Sequence, residues 1–202
     1  MIVHLVLEGH LEEPVAIRLV EHCGHEPGRV YGRKGFVYIK DKAHMFHSLA
    51  YQGCGVLVLT DFMDSGCACV VDAQKLYLLR HVATPSKHFL LRFPVPELES
   101  WLLADRTNIA TFLAVGKNRI PTRPDEEVDP KRTLVNIARR SRQASVVNGI
   151  VPPLRHGGVV APGYLGFMKE FVTAKWDIES ARITSPSLDR CVRRLQELGG
   201  HT

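Results

Sequence analysis

Two short apolar runs that each end on an acid constrain this chain more than any other feature. The first is IVHLVLE, which ends on Glu8, and the second is GVLVLTD, which ends on Asp61. Runs of this length, rich in valine, isoleucine and leucine, are typical of strands that are buried on both faces. The sequence therefore predicts a sheet in which at least two strands end on a carboxylate.

Helical patterns alternate with these strands along the first half of the chain. The predicted helices cover residues 11–23, 42–51, 70–82 and 97–104, and further extended segments lie around residues 29–31 and 87–93. Alternating strands and helices imply right-handed crossovers and a mainly parallel sheet. We therefore predict an α/β, Rossmann-like fold with a mainly parallel sheet flanked by helices.

The second half of the chain differs in composition and charge. Residues 1–105 carry 10 Lys and Arg against 12 Asp and Glu, whereas residues 106–202 carry 16 against 9. The second half has loops rich in glycine and proline, helical patterns over residues 131–144, 165–174 and 186–198, and no clear strand. We predict an α/β core over 1–105 and a basic, mainly helical extension over 106–202 that packs on the core.

Several acids are expected at one edge of the predicted sheet. Glu8 and Asp61 end two strands, Asp64 follows in the next loop, and Glu97 and Glu99 lie near the start of the helix after the third strand. The carboxyl ends of parallel strands converge at the edge where α/β folds bind ligands. Clustered carboxylates repel one another unless a cation neutralises them, and oxygen ligands favour Mg²⁺ or Mn²⁺ over zinc. The pattern predicts a Mg²⁺ or Mn²⁺ site.

Each of these acids also has a plainer interpretation. A glutamate at a strand end, such as Glu8, is usually solvated, and Asp61 and Asp64 are residues that turns favour. Glu97 and Glu99 could simply stabilise the positive N-terminus of a helix. Their joint occurrence at one predicted edge is what favours a metal site.

Five segments resemble a known family. The first two, LVLEGHLEEPVAIRLV and GVLVLTDFMDSG, resemble the acidic motifs of the TOPRIM domain, the Rossmann-like fold of primases, topoisomerases and the overcoming-lysogenisation-defect nucleases. The other three, FPVPELESWLLAD, DPKRTLVNIARR and GYLGFMKEF, resemble the bacterial TOPRIM-like proteins of domain-of-unknown-function family 4276. Together the motifs span most of the chain, although each is short.

The resemblance implies metal-dependent phosphoryl transfer on nucleic acid, by a nuclease or nuclease subunit of phage defence or mobile elements. It implies Glu8 and Asp61 as catalytic residues, with Glu8 as general acid/base. It also implies that Glu8, Asp61, Asp64 and Glu99 hold the metal, with Asp61 as the principal ligand. The family's second motif has two aspartates separated by one residue. Here Asp61 and Asp64 are separated by two, and Met63 occupies the expected position.

Basic residues of the second half are expected to bind the nucleic-acid backbone. They lie on or beside one predicted helix and are Lys131, Arg132, Arg139, Arg140 and Arg142. Lys and Arg contacts to phosphates supply affinity that is independent of sequence and sensitive to salt. A solvated helix face with internal salt bridges is the alternative interpretation of the same residues.

Partners and localisation follow from other features. The chain has no Walker motif, so an ATP-driven function would need a separate ATPase partner, as the resemblance implies. Five cysteines without a CxxC pair, together with an N-terminus that lacks the pattern of a signal peptide, predict a cytoplasmic protein with no membrane association. Two alternative functions remain open: a non-catalytic nucleic-acid-binding or regulatory partner of an ATPase, and a small-molecule phosphatase or phosphotransferase.

Overall fold

A four-stranded sheet organises the first half of the chain in a computed structural model that describes residues 1–51, 53–154 and 157–199. Its strands are β1 (Ile2–Leu7), β2 (Glu26–Gly32), β3 (Cys54–Leu59) and β4 (Phe89–Arg92). Every neighbouring pair is parallel, and the order across the sheet is β2-β1-β3-β4. Helices flank the sheet, so the predicted α/β fold is confirmed.

The strand order places a switch point between β1 and β3. The chain crosses from β1 to β2 on one side and then returns to β3 on the other side of β1. Strands β1 and β3 pair without a register shift from Ile2 opposite Cys54 to Leu7 opposite Leu59, so both end at the same level. In open α/β sheets, ligands bind outside the carboxyl ends of the strands at such a point.

Helices and short helical turns connect the strands. The connections are α1 (Glu12–His22) after β1, and α2 (Gly35–Lys42) with a 3-10 helix (Ala43–Leu49) after β2. After β3 come a 3-10 turn (Met63–Ser65) and α3 (Val70–Gln74), which continues as a π-helical turn (Lys75–Leu79). The sequence pattern predicted one uninterrupted helix over residues 70–82, and the structure divides it.

One face of the sheet packs on the elements between the strands. Val6 of β1 and Val58 of β3 belong to the same buried cluster as Ile39 of α2, Tyr77 of the π-helical turn and Phe93. Val6 and Val58 lie close to the ends of their strands. The buried cluster therefore reaches the level of the sheet edge where Glu8 and Asp61 follow.

The second connection differs from its prediction. The sequence pattern predicted a helix over residues 42–51, whereas α2 covers Gly35–Lys42 and a 3-10 helix covers Ala43–Leu49. Gly32 (φ +90°) makes the turn before α2, and a Cβ at Gly32 would lie 2.3 Å from the carbonyl oxygen of Leu7. Only glycine fits so close to β1. Gly32 therefore makes the turn from β2 into α2 and does not begin a longer loop.

A second unit contains helices only. Its helices are α4 (Leu98–Ala104), α5 (Arg106–Phe112), α6 (Pro130–Ala138), α7 (Ala144–Ile150), α8 (Tyr164–Ala174) and α9 (Ile178–Arg182), followed by the start of α10 (Pro186–Gln196). Trp101 and Trp176 are fully buried, and Nε1 of Trp176 donates to the carbonyl oxygen of Trp101 at 3.2 Å. Both tryptophans are therefore core residues of this unit.

Packing divides the chain into Pro96–Leu188 and a first unit that comprises Met1–Val95 with the residues from Asp189 onward. The boundary expected at residue 105 was based on the charge of the two halves, whereas packing places the boundary after Val95. The part of α10 from Asp189 onward belongs to the first unit, where Nε2 of His25 forms a hydrogen bond with the Leu195 carbonyl oxygen at 2.7 Å. Among the helices of the described residues, none combines the length and apolarity that crossing a membrane requires.

Candidate metal centre

Glu8 lies directly after β1, where the parallel pairing with β3 ends. Its backbone N–H donates to the carbonyl oxygen of Leu59 at 3.3 Å, so the residue continues the ladder by one bond. Its side-chain Oε2 accepts hydrogen bonds from Oγ1 of Thr60 at 2.5 Å and from the backbone N–H of Asp61 at 3.2 Å. Both bonds go to the same oxygen, so Oε1 is the oxygen left for a ligand.

Asp61 is held at the neighbouring position, at the end of β3. The backbone N–H groups on either side of it, those of Thr60 and Phe62, donate to the carbonyl oxygens of Arg92 and Pro94 at 3.3 and 3.0 Å. Asp61 is buried. These bonds extend the pairing with β4 beyond the strand and fix the backbone that carries Asp61.

Asp64 joins these two acids because the chain turns back after β3. It is the central residue of the 3-10 turn Met63–Ser65, which Gly66 ends in the left-handed conformation (φ 65°). The turn folds the chain back toward the end of β3, and a carboxylate oxygen of Asp64 lies within 4.8 Å of one from Glu8 and one from Asp61. The departure from the aspartate spacing of the TOPRIM motif therefore does not remove the second aspartate from the site.

Glu8, Asp61 and Asp64 form a group that could hold a metal ion. One carboxylate oxygen from each lies within 4.8 Å of the other two. A bound cation with oxygen ligands at about 2.0–2.6 Å from each carboxylate fits separations of this size. The three acids also lie at the switch point of the sheet, so the structure brings together three of the four expected ligands, and Mg²⁺ or Mn²⁺ binding stays a prediction.

Glu8 has an unusual protonation equilibrium for a carboxyl group. The pKa of Glu8 is raised to about 7, chiefly by burial and to a smaller extent by the charges of Asp64 and Glu12, although the hydrogen bonds from Thr60 and Asp61 oppose the rise. A carboxyl group with this pKa exchanges its proton near neutral pH, which suits a general acid or base. A cation held by the same group would favour the ionised form.

Thr60, Glu12 and Tyr77 are three further residues of this site that the sequence pattern did not single out. In the sequence, Thr60 is only the residue that precedes Asp61 at the end of the second apolar run. Glu12 is only an acid at the start of α1. The Glu12 carboxylate is buried beside Gly9, where a Cβ would lie 2.9 Å from its Oε2. In the sequence, the sign of this contact was the glycine three residues before Glu12.

Tyr77 is fully buried, and its hydroxyl is a buried polar group. Within the part of the chain that the structure describes, the hydroxyl of Tyr77 has no hydrogen bond. Burial raises the pKa of Tyr77 to about 12, and the nearby charges of Glu8 and Asp64 raise it as well. A buried polar group without a partner costs about 1–3 kcal/mol of stability. The presence of such a group near a candidate ligand site therefore needs an explanation.

Glu99 and Glu97 belong to the second unit, where both are buried and bound by a lysine. Nζ of Lys131 lies 3.2 Å from Oε2 of Glu97 and 3.5 Å from Oε1 of Glu99. Glu97 also accepts the backbone N–H of Lys131 at 2.6 Å, and Glu99 accepts the hydroxyl hydrogen of Tyr164 at 2.7 Å. Burial raises the pKa of Glu99, and Lys131 opposes that rise. The role of Glu99 as a metal ligand stays a prediction.

The five basic residues expected to bind nucleic acid fall into two classes. Lys131 is bound to the two glutamates, and Nε of Arg132 pairs with Asp129 at 3.3 Å. Arg139, Arg140 and Arg142 are exposed, and no ion pair to them is found among the described residues. The second class is the one that remains available to a polyanion.

A polar concavity on the second unit contains one of these arginines. It has a volume of about 590 Å³, and its lining residues are Asn118, Arg119, Thr133, Asn136, Ile137 and Arg140. Arg119 is also exposed, and within the described ranges it has no ion pair. Two arginines and several amide and hydroxyl groups therefore face one depression.

The resemblance of the five motifs to the TOPRIM family stays a prediction from short segments. The fold and the carboxylate group described above rest on the structure alone and do not depend on that resemblance. Neither a protein-family model, nor a curated protein, nor a solved structure matches the chain.

Proposed function

We propose that the protein catalyses divalent-cation-dependent phosphoryl transfer on nucleic acid, as a nuclease or nuclease subunit. The observation that carries the proposal is the convergence of Glu8, Asp61 and Asp64 at the switch point of a parallel sheet. Three carboxylates in this position suit Mg²⁺ or Mn²⁺, and substrates of such sites commonly carry phosphate groups.

Each of the three acids has a distinct part in the proposed reaction. Asp61 and Asp64 hold the cation, which supplies neutralisation of phosphate charge and activation of water. Glu8 offers Oε1 to the same site, where it accepts or returns a proton. Thr60 and the Asp61 N–H keep the Glu8 carboxylate in one orientation.

The basic residues of the second unit support a polyanionic substrate. Arg119 and Arg140 face one polar concavity, and Arg139 and Arg142 are exposed nearby in the sequence. Arginine binds phosphate oxygens through two parallel N–H groups, so paired arginines suit a phosphodiester backbone. This arrangement favours nucleic acid over a small phosphorylated molecule as the substrate.

The test is a cleavage assay on single-stranded and double-stranded DNA and RNA with Mg²⁺ or Mn²⁺. Glu8→Gln and Asp61→Asn keep the shape of each side chain and remove its charge, and Asp41→Asn is the matched control at an exposed acid. We expect cleavage by the unchanged protein and by Asp41→Asn. Glu8→Gln and Asp61→Asn are each expected to lose at least about a hundredfold in rate.

Three results would contradict the proposal. Cleavage that continues in both Glu8→Gln and Asp61→Asn would place the reaction elsewhere. Salt-dependent binding of nucleic acid without cleavage would instead support the non-catalytic binding module, and turnover of nucleotides alone would support a small-molecule phosphatase.

A further inference from the structure

Among the residues that the structure describes, the buried hydroxyl of Tyr77 donates no hydrogen bond. Its ring packs in the buried cluster with Val6 and Phe93, and makes an edge-to-face contact with Phe93 at 5.6 Å between ring centroids. Phe62 and Cys67, which flank the turn of Asp64 in sequence, pack against the same cluster. The ring is therefore fixed beneath the segment that carries the carboxylates.

The hydroxyl group remains a donor over the whole working pH range. Burial and the charges of Glu8 and Asp64 raise the pKa of Tyr77 to about 12, so the phenol keeps its hydrogen. A phenol donates readily to a carboxylate oxygen, and such bonds are stronger than those between neutral groups.

Asp64 is the acid whose side chain most needs a fixed orientation. Glu8 is oriented by Thr60 and by the backbone of Asp61. Asp64 is exposed on a short turn, and no hydrogen bond or ion pair to its carboxylate is found in the described residues. Ligating carboxylates are themselves usually hydrogen-bonded, because the outer contact fixes their direction.

We propose that Tyr77 is the positioning residue of the metal centre, and that its hydroxyl donates to the Asp64 carboxylate when a divalent cation is held there. This inference rests on the function proposed above. Tyr77 touches neither cation nor substrate in this role. It acts by ordering the Asp64 carboxylate, and it gains a partner for its buried hydroxyl at the same time.

The test measures Mn²⁺ affinity by calorimetry and thermal stability in EDTA. Tyr77→Phe removes one oxygen and keeps the ring, and Tyr31→Phe makes the same change in a tyrosine that packs against the same cluster. Asp64→Ala and the Asp64→Ala, Tyr77→Phe double variant complete the set. All five proteins, including the unchanged one, are compared under the same conditions.

We expect Tyr77→Phe to lower Mn²⁺ affinity by about tenfold. In EDTA its melting temperature should equal or exceed that of the unchanged protein, because a buried hydroxyl without a partner is removed. Tyr31→Phe should leave the affinity unchanged. In the Asp64→Ala background, Tyr77→Phe should have no further effect on affinity, because the acceptor is absent.

Three results would overturn the positioning role. They are an unchanged Mn²⁺ affinity in Tyr77→Phe, an equal loss of affinity with and without Asp64, and a lower melting temperature of Tyr77→Phe in EDTA. Failure of the unchanged protein to bind Mn²⁺ would overturn the proposed function together with this inference, so the two failures are distinguishable.

Discussion

Oγ1 of Thr60 donates a 2.5 Å hydrogen bond to Oε2 of Glu8 and so joins the ends of the two central strands. The backbone N–H of Asp61 donates to the same oxygen. A side chain that follows one strand is thus oriented by two donors that follow its neighbour. The parallel register of the strands from Ile2 to Leu7 is what brings these groups to the same level.

Replacing the hydroxyl of Thr60 with a methyl group should weaken cation binding. Thr60→Val keeps the shape of the fully buried side chain and removes the donor. Because this hydrogen bond lowers the pKa of Glu8, its loss raises that pKa and leaves less of the ionised form at pH 7. We expect Mn²⁺ affinity at pH 7 to fall by about tenfold.

The control for this change is Thr60→Ser, which retains the hydroxyl and should bind Mn²⁺ nearly as the unchanged protein does. The difference in Mn²⁺ affinity between Thr60→Val and the unchanged protein should also become smaller at pH 9, because Glu8 is ionised in both proteins there. Equal affinity of the Val and Ser variants in calorimetry would refute the role of this bond.

Glu8 should make the protein less stable as the pH rises. Its pKa is about 7 in the folded state against an ordinary value of 4.5, so the folded protein binds more protons between these values. The free energy of unfolding therefore falls as pH increases from 4.5 to about 7 and this contribution is constant above that. Glu8→Gln removes the effect.

The measurement is urea unfolding in EDTA at pH 5 and pH 8. The gain in stability from Glu8→Gln should be larger at pH 8 than at pH 5 by about 2 kcal/mol, allowing for solvent screening of a partly buried group. Asp41→Asn, at an exposed acid, should show no such difference. A gain that is the same at both pH values would contradict the prediction.

Lys131 should contribute to stability rather than to nucleic-acid binding. It lies between two buried glutamates, so Lys131→Met leaves Glu97 and Glu99 without their cation. We expect a loss of about 2 kcal/mol in the free energy of unfolding, below that of a fully buried pair because Lys131 is partly exposed. Calorimetric or urea unfolding at pH 8 measures it.

The matched variant is Arg132→Met, whose partner Asp129 forms an exposed pair of little energetic value. It should change stability by less than about 0.5 kcal/mol. Adding Glu99→Gln to Lys131→Met should recover part of the loss, because one uncompensated charge is removed. Equal effects of the Lys131 and Arg132 changes would refute this account.

Arg119 and Arg140 should contribute to binding without contributing to stability. Each is exposed and lines the polar concavity, so alanine at either position should weaken DNA or RNA binding. If each contacts one phosphate, the slope of log affinity against log salt should fall by about 1 per variant. Fluorescence anisotropy across a salt series measures both quantities.

The control here is Arg123→Ala, because this exposed arginine pairs with Glu126 at 3.2 Å. Its salt slope should match that of the unchanged protein. If Arg119→Ala and Arg140→Ala keep the full slope, the concavity is not the nucleic-acid surface.

The central strands and their acidic ends could be predicted because their signal is local. Each of β1 and β3 is a continuous apolar run, and the residue after it is an acid, which is enough to place Glu8 and Asp61 at a sheet edge. Asp64 was harder, because its place in the site depends on a 3-10 turn that spacing alone does not specify.

Two other features depend on contacts distant in sequence. Tyr77 lies many residues from Glu8, and nothing in its neighbours separates it from an ordinary core tyrosine. The binding of Glu99 by Lys131 and Tyr164 likewise joins three separate helices, so the motif around Glu99 indicates an acid without indicating its partners. Periodicity predicts which face of an element is buried, and it does not predict such pairs.

The partial burial of Glu8 makes its site sensitive to acidity as well as to metal. Because burial raises its pKa to about 7, this carboxyl group exchanges its proton near neutral pH, and a cation that took the place of the proton would displace it. A divalent cation bound there, as proposed above, would therefore compete with protons for one position. In the function proposed, a drop of one pH unit in the surroundings would lower occupancy of the site with no change in the fold, and a rise in free Mg²⁺ would restore it.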